Sequence, residues 1–120
     1  MIFIVDDDAS VRTAIARLMA SAGHQVQTFA SAEEFLASSR PTESDCLVVD
    51  IHLGGMNGLE LQKELAQADS RTPIIFITAF DSVDVRRKAK RAGADAYFRK
   101  PFDDQALLDA IYFALERASS

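Results

Sequence analysis

The chain is poor in the features that mark secreted, membrane-spanning or disulfide-stabilised proteins. Cys46 is its single cysteine, so no internal disulfide can form, and its place within an apolar run predicts a small buried side chain in a reducing compartment. The longest strongly apolar stretch, residues 74–80, is far shorter than the roughly 20 residues that a membrane-spanning helix needs. The N-terminus lacks the charged start, long apolar segment and cleavage site of a signal peptide. These absences predict a cytoplasmic protein with no membrane partner.

Basic charge is also scarce. The chain has 13 Lys and Arg against 18 Asp and Glu, which gives a net charge of -5. Because contact with nucleic-acid phosphates requires a basic surface, this balance argues against direct DNA or RNA binding by this domain. The 120 residues are 48% apolar and 26% charged, which is typical of a globular protein. We therefore expect a single domain over residues 1–120.

Short apolar runs alternate with segments of helical periodicity five times along the chain. Three runs are nearly continuous in Val, Ile, Leu and Phe, as in strands buried on both faces: residues 2–5, 46–49 and 74–77. A more mixed run, 96–99, and one that alternates polar and apolar residues, 25–29, are expected nearer the edges of a sheet. This alternation predicts an α/β fold in which helices cover both faces of a parallel sheet.

Residues that favour helix N-termini precede two of the helical segments. Asp7, Asp8 or Ser10 is expected to cap the first helix. Ser31 and Glu34 have the spacing of a capping box at the start of the second helix. These positions support the predicted order of strands and helices.

Polar side chains stand directly after four of the predicted strands. Asp6 and Asp7 follow the first, Asp50 the third, Thr78 the fourth and Lys100 the fifth. If the strands are parallel, all of these side chains lie at the carboxyl edge of the sheet, where open α/β sheets bind ligands. Two carboxylates ~4 Å apart repel by roughly 4 kcal/mol at an effective dielectric constant of about 20, so the cluster needs a counter-charge. A cation that prefers oxygen ligands and shares them with phosphate, Mg²⁺, meets that need.

These residue types suit phosphoryl transfer. Asp50 stands alone at its strand end, so it is the candidate nucleophile, which would form an acyl phosphate. The Lys100 ammonium would neutralise charge on the transferring oxygens, and the Thr78 hydroxyl would hydrogen-bond one of them. These three residues are the candidate catalytic groups.

The candidate metal ligands are Asp6, Asp7, Asp50 and His52. Asp6 and Asp7 lie at a strand-to-helix turn, which is a better place for ligands than for the nucleophile. The loop after Asp50 contains glycines at 54, 55 and 58 that let it bend closely around a ligand. A backbone carbonyl of this loop would complete the metal site, so His52 is expected to contribute its main chain rather than its imidazole.

Together these features resemble the receiver domains of bacterial two-component response regulators over essentially the whole chain. The resemblance is carried by Ile4-Val5-Asp6-Asp7, Val48-Val49-Asp50, Met56-Asn57-Gly58, Thr78-Ala79, Ala92-Gly93-Ala94-Asp95-Ala96-Tyr97 and Lys100-Pro101-Phe102. It implies a flavodoxin-like (βα)5 three-layer sandwich with strand order 2-1-3-4-5. It also implies Mg²⁺ bound by Asp7, Asp50 and the His52 carbonyl with help from Asp6, and a cis Lys100-Pro101 bond.

The resemblance implies a signalling function rather than a turnover enzyme. Asp50 would take a phosphoryl group from a histidine kinase or histidine phosphotransfer protein, and Mg²⁺ would support self-phosphorylation and slow self-dephosphorylation. Thr78 and Tyr97 would form the switch: Thr78 moves toward the phosphoryl group and Tyr97 fills the space that it leaves. That motion would alter the face formed by the fourth helix, the fifth strand and the fifth helix.

The altered face would contact an output domain or a downstream protein, and the resemblance also allows a homodimer on phosphorylation. Residues 27–36 resemble receivers that precede a LuxR-type helix-turn-helix domain. Since no DNA-binding element follows the fifth helix, any output domain is expected outside this chain. One position departs from the family pattern: Gly54 stands where members usually carry proline, which predicts a more flexible loop.

Three alternatives fit less well. Asp6 and Asp8 superficially resemble the first motif of haloacid-dehalogenase-type phosphatases, but no acidic residue follows the later strand and Asp50 would have no role. A flavodoxin-type binding module would need hydroxyls and amides rather than three carboxylates at the sheet edge. A degenerate receiver that signals by binding alone conflicts with the intact set of reacting groups. Each residue taken singly also suits a cap, a turn or the surface, so the joint pattern carries the interpretation.

Overall fold

The computed structural model describes residues 1–38 and 40–119, and the predicted alternation is present along them. The strands are β1 Ile2–Val5, β2 Val26–Phe29, β3 Cys46–Asp50, β4 Ile74–Thr78 and β5 Ala96–Arg99. The helices are α1 Ala9–Ser21, α2 Ala32–Ser38, α3 Gly58–Gln67, α4 Val83–Arg91 and α5 Asp104–Ala118. Within these described residues, no helix is long and apolar enough to cross a membrane.

The five strands form one parallel sheet in the order β2-β1-β3-β4-β5. This order confirms the predicted flavodoxin-like (βα)5 fold. β2 and β5 lie at the two edges, as the alternating and mixed residue patterns predicted. The three central strands are buried throughout, because helices cover them on both sides.

Alternate residues of each central strand face different helix layers. Phe3 and Val5 pack in a cluster with buried residues of α2, α3 and α4, such as Phe35. Ile2 and Ile4 pack in a second cluster with buried residues of α1 and α5. The strand period of two therefore divides the core between two helix layers and produces the three-layer sandwich.

Side-chain caps begin the first two helices. Asp8 is the cap of α1, since its carboxylate accepts hydrogen bonds from the amides of Ser10 and Val11. Ser31 Oγ accepts the Glu34 amide proton at 3.1 Å, as predicted for α2. The Glu34 carboxylate, however, accepts from the Ala30 amide rather than from that of Ser31. Only the Ser31 half of the predicted capping box of α2 is therefore present, because the Glu34 carboxylate bonds to the residue before Ser31.

Candidate functional site

The carboxyl edge of the central strands brings Asp6, Asp50 and Lys100 together. Val5 of β1 pairs with Val49 of β3, so the residues that follow them, Asp6 and Asp50, lie side by side. Lys100 reaches the pair from just beyond β5. Its Nζ donates to Asp6 Oδ2 at 2.9 Å and to Asp50 Oδ2 at 2.8 Å. One ammonium thus bridges two carboxylates that come from neighbouring strands.

These three charged groups are largely shielded from water. The Asp6 side chain is fully buried, and that of Lys100 is 15% exposed. Burial raises the pKa of Asp6, although hydrogen bonds from the Asp8 amide and from Lys100 oppose the shift. Burial lowers the pKa of Lys100, but the Asp50 and Asp6 carboxylates outweigh it and the net shift is upward. Lys100 is therefore the counter-charge that the acidic cluster requires.

Asp7 joins the two buried carboxylates. Ligand oxygens of Asp6, Asp7 and Asp50 lie within 4.8 Å of one another, and Asp7 is exposed to solvent. Oxygen donors of this kind fit Mg²⁺, which binds through one or two carboxylates and retains water. We call Asp6, Asp7, Asp50 and Lys100 the acidic site.

The His52 side chain points away from the other predicted metal ligands. Its amide donates to Asp50 Oδ1 at 2.9 Å, whereas its imidazole lies edge-on to the Phe80 ring, with 5.3 Å between ring centroids. Nε2 is 3.4 Å from the Phe80 carbonyl oxygen. The main chain of His52 is therefore hydrogen-bonded to Asp50, whereas its imidazole contacts Phe80.

Two backbone features occur at Lys100. Its amide donates to the Thr78 carbonyl oxygen at 2.7 Å, which extends the pairing of β4 and β5 beyond the last strand residue. The Lys100-Pro101 peptide bond is cis, as the family resemblance implied. The hydrogen bond to Thr78 keeps the backbone of Lys100 beside the end of β4.

The Thr78 hydroxyl is buried and bonds within its own turn. It accepts from the Phe80 amide at 3.0 Å and donates to the Phe80 carbonyl at 3.3 Å. Thr78 follows Ile77, the pairing partner of Asp50. The structure thus places Thr78 on the strand next to the acidic site, with its hydroxyl bonded to backbone rather than to the carboxylates.

Tyr97 lies on β5 with its ring partly buried. It pairs across the sheet with Phe76, and the Arg86 guanidinium lies 5.0 Å from its ring centroid. Among the described residues, its buried hydroxyl has no hydrogen-bond partner of good geometry, although it is near Asp81 and the Ser82 backbone. Burial and then the Asp81 carboxylate raise the pKa of Tyr97. The Tyr97 hydroxyl thus lies in a buried position beside a carboxylate.

Two further residues support the site but were not predicted from the sequence. Arg12 Nη1 donates to the Asp6 carbonyl oxygen at 2.6 Å. Glu33, on the first turn of α2, accepts the Met56 amide proton at 3.0 Å, and this bond lowers the pKa of Glu33. The second contact joins residues 23 positions apart in different βα units, so no local pattern could indicate it.

Comparison with known proteins agrees with this geometry. Residues 2–112 match the family model of the response regulator receiver domain. Nodulation protein W of Bradyrhizobium diazoefficiens is 43% identical over 117 residues, which are 98% of this chain and 52% of that protein. The chain spans about half the length of the curated relatives it matches.

Solved structures give the same result. The structure of the response regulator StyR has a TM-score of 0.91 at 44% identity and covers 98% of this chain and 60% of its own. The FixJ-N structure has a TM-score of 0.87 at 35% identity and covers 96% of this chain and 92% of its own. The chain therefore belongs to the response regulator receiver domains, a non-enzyme family whose general function is to accept a phosphoryl group in two-component signal transduction.

Proposed function

We propose that Asp50 is the phosphoacceptor of one receiver domain that spans residues 1–120. The observation that carries this proposal is the Lys100 ammonium, which lies 2.8 Å from Asp50 Oδ2 and 2.9 Å from Asp6 Oδ2. A carboxylate beside a buried cation at the edge of a parallel sheet suits attack on a phosphoryl group. The phosphodonor would be a histidine kinase or a histidine phosphotransfer protein.

In the proposed reaction an Asp50 oxygen attacks phosphorus and forms a new O–P bond. The bond from phosphorus to the donor histidine nitrogen breaks, and the nitrogen keeps the electron pair. Lys100 donates hydrogen bonds to the transferred oxygens, where it offsets their negative charge. With a small phosphodonor the same groups would support self-phosphorylation, and slow attack by water would return free Asp50.

Asp6, Asp7, Asp50 and the His52 carbonyl are the residues that would hold Mg²⁺. The three carboxylates offer oxygens within 4.8 Å of one another, which supports this assignment. Mg²⁺, when bound, would supply positive charge to the phosphoryl oxygens. Asp6 already accepts hydrogen bonds from Lys100 and the Asp8 amide, whereas Asp7 is exposed to solvent, so we expect Asp7 to be the more direct ligand.

We propose that Thr78 and Tyr97 convert phosphorylation into a change of surface. A phosphoryl group on Asp50 adds about −1.5 to −2 charge and three strong acceptors, so it would compete with the Phe80 backbone for the Thr78 hydroxyl. To change a conformational equilibrium from about 1:99 to 99:1, the phosphoryl group must favour the active state by about 5.5 kcal/mol. Charge-assisted hydrogen bonds from Lys100 and Thr78 supply energy of that order.

The changed surface would be the face of α4, β5 and α5. Its partner would be an output domain or a downstream protein, and a homodimer formed on phosphorylation would use the same face. Because the match covers about half of relatives such as nodulation protein W, we infer that any output domain lies outside these 120 residues. The resemblance of residues 27–36 to receivers that precede LuxR-type domains favours a DNA-binding output.

The proposal is tested by intact mass measurement after incubation with Mg²⁺ and acetyl phosphate. We expect wild type to gain one phosphoryl group, and EDTA or Asp50→Ala to abolish the gain. Asp109→Ala, which removes an exposed carboxylate of α5, is the matched control and should label as wild type does. Labelling that survives Asp50→Ala would assign the acceptor to Asp6 and favour phosphatase-type chemistry. No labelling of wild type would contradict the proposal.

A further inference from the structure

The loop between β3 and α3 carries the backbone that adjoins Asp50. Its two ends are fixed to Ile51, whose carbonyl oxygen accepts the amides of Leu53 at 3.2 Å and Gly58 at 2.9 Å. Gly58 is also tightly placed, because a Cβ there would lie 2.8 Å from the Asp50 carbonyl oxygen. The ends of the loop are therefore held close to the proposed phosphoacceptor.

The middle of the loop has little stiffness of its own. Gly54 and Gly55 follow one another, and Gly55 has a φ of +72°, a conformation that costs little only for glycine. Two consecutive glycines leave many backbone conformations accessible to a free loop. A contact from outside is needed to keep this segment in one conformation.

Glu33 makes that contact. Its Oε2 accepts the Met56 amide proton at 3.0 Å, and a Cβ added at Gly55 would overlap the same carboxylate. Glu33 thus lies against the loop at two consecutive residues. Its neighbours on α2, Ala32 and Phe35, are fully buried, so the carboxylate projects from a helix that is fixed in the core.

We propose that Glu33 is a positioning residue that holds the β3–α3 loop beside Asp50, an inference that rests on the proposed function of Asp50. Proline at position 54 would restrict the backbone of this loop, but the chain has glycine there. The Glu33 carboxylate restricts the loop instead. A loop that is already ordered loses less conformational entropy when its backbone engages Mg²⁺ or a phosphoryl group. Glu33 therefore acts on the reaction through the Met56 amide and without contact with the reacting atoms.

The first test compares Glu33→Ala with Glu33→Gln, which keeps an oxygen acceptor for the Met56 amide. For Glu33→Ala we expect Met56 amide hydrogen exchange to rise about tenfold, and Mg²⁺ affinity and labelling by acetyl phosphate to fall about three- to tenfold. Glu33→Gln should remain within about twofold to threefold of wild type for all three quantities. Nuclear magnetic resonance supplies the exchange rate, and calorimetry with Mg²⁺ alone supplies the affinity.

Glu34→Ala is the matched control. It removes a carboxylate from the same turn of α2, but that carboxylate accepts from the Ala30 amide. Any effect of weakening the start of α2 should thus appear in both variants, whereas the exchange of Met56 should change only in Glu33→Ala. Equal Met56 exchange in the two variants would overturn the inference.

Gly54→Pro in the Glu33→Ala background provides a rescue experiment. A Cβ at Gly54 meets no atom within 4 Å, and its φ is not in the left-handed region, so neither feature opposes a proline at this position. Because proline restricts the free loop, we expect Gly54→Pro to restore most of the lost Mg²⁺ affinity and labelling rate. The positioning role of Glu33 would be contradicted if Glu33→Ala had the Mg²⁺ affinity and labelling rate of wild type. It would also be contradicted if Gly54→Pro did not improve either quantity in Glu33→Ala.

The outcomes for Glu33 and Asp50 are separable. If wild type takes up a phosphoryl group but Glu33→Ala behaves as Glu34→Ala does, the positioning inference fails and the proposed function stands. If wild type takes up none, the proposed function fails, and the Met56 exchange rates alone decide whether Glu33 holds the loop.

Discussion

The acidic site and the region around α4 are built in opposite ways. In the acidic site, Asp6 and Asp50 project from adjacent buried strands and share one ammonium at 2.9 and 2.8 Å. The α4 region, by which we mean Asp81, Ser82, α4 and Tyr97, consists of a charged helix on an edge strand. The first region is held by charges that are shielded from water, and the second by contacts at the surface.

Packing shows the difference most clearly. Of the α4 residues, all of which the structure describes, only Ala89 is buried, while Val83 is 75% exposed. The Arg86–Asp81 pair, at 2.7 Å, is largely open to solvent. Segments with few buried apolar contacts open locally at low cost in free energy. The proposed chemistry therefore lies on fully buried strands, and the proposed output lies on a helix with few buried residues.

The largest expected effect comes from breaking the acidic site at Lys100. Lys100→Met leaves two buried carboxylates without their counter-charge, so we expect the free energy of unfolding to fall by about 2–4 kcal/mol near neutral pH without Mg²⁺. Mg²⁺ should recover part of this loss because it replaces the missing positive charge. Urea unfolding followed by circular dichroism, in EDTA and in Mg²⁺, measures both quantities.

The contribution of Lys100 to the free energy of unfolding should depend on pH. The folded-state pKa of Lys100 is raised by its carboxylate partners, so its stabilisation is present below the unfolded-state pKa and is lost as pH rises through the folded one. The difference between wild type and Lys100→Met should persist to about pH 10 and narrow above it. Lys90→Met on exposed α4 is the control, with an expected change within about 0.5 kcal/mol. An equal loss in the free energy of unfolding for Lys100→Met and Lys90→Met would show that charges in the two regions contribute equally to stability.

The second prediction concerns the connection between the regions. Thr78→Ala should still label on Asp50, but the spectral change at Tyr97 on phosphorylation should largely disappear. One charge-assisted hydrogen bond is worth about 1.5–3 kcal/mol, enough to shift the proposed equilibrium about tenfold or more. Tyr112→Phe leaves Tyr97 as the single tyrosine, so the tyrosine band of the near-ultraviolet circular dichroism spectrum, which lies at longer wavelength than the phenylalanine bands, reports on it alone.

Thr13→Ala on the exposed face of α1 is the control for loss of a threonine hydroxyl. A full Tyr97 response in Thr78→Ala would mean that the α4 region senses phosphorylation by another route. A lost response in Thr13→Ala would mean that the effect is not specific to Thr78.

The contrast between the regions also explains how much the sequence could predict. β1 and β5 have the predicted bounds, and β3 and β4 extend one residue further than their apolar runs. The proximity of Asp6, Asp50 and Lys100 followed from one rule, that parallel strands end at a common edge. Buried strands leave few ways to arrange the residues directly after them, so local pattern was sufficient there.

Contacts made by exposed side chains had no such signal. Arg86 over Tyr97, Glu33 on Met56 and Glu34 on Ala30 depend on the paths of loops and on rotamers of solvent-exposed residues. Many arrangements of these side chains have similar free energies in an isolated segment. Tertiary packing selects one of them, and the sequence of a single chain does not reveal which.

The smallest expected effect tests how Tyr97 is held in the α4 region. Burial is the main cause of the raised pKa of Tyr97, and the Asp81 carboxylate adds to it. Asp81→Asn removes the charge but not the burial, so the pKa of Tyr97 should fall and yet stay above its ordinary value. The substitution also frees Arg86 from its carboxylate partner, and a free guanidinium near the ring also lowers the pKa of Tyr97.

Titration of phenolate absorbance in the Tyr112→Phe background measures this shift. Asp84→Asn is the control, because the Asp84 carboxylate pairs with Lys88. An unchanged pKa of Tyr97 in Asp81→Asn would mean that burial alone raises this pKa. The charges of the α4 region would then have no effect on Tyr97.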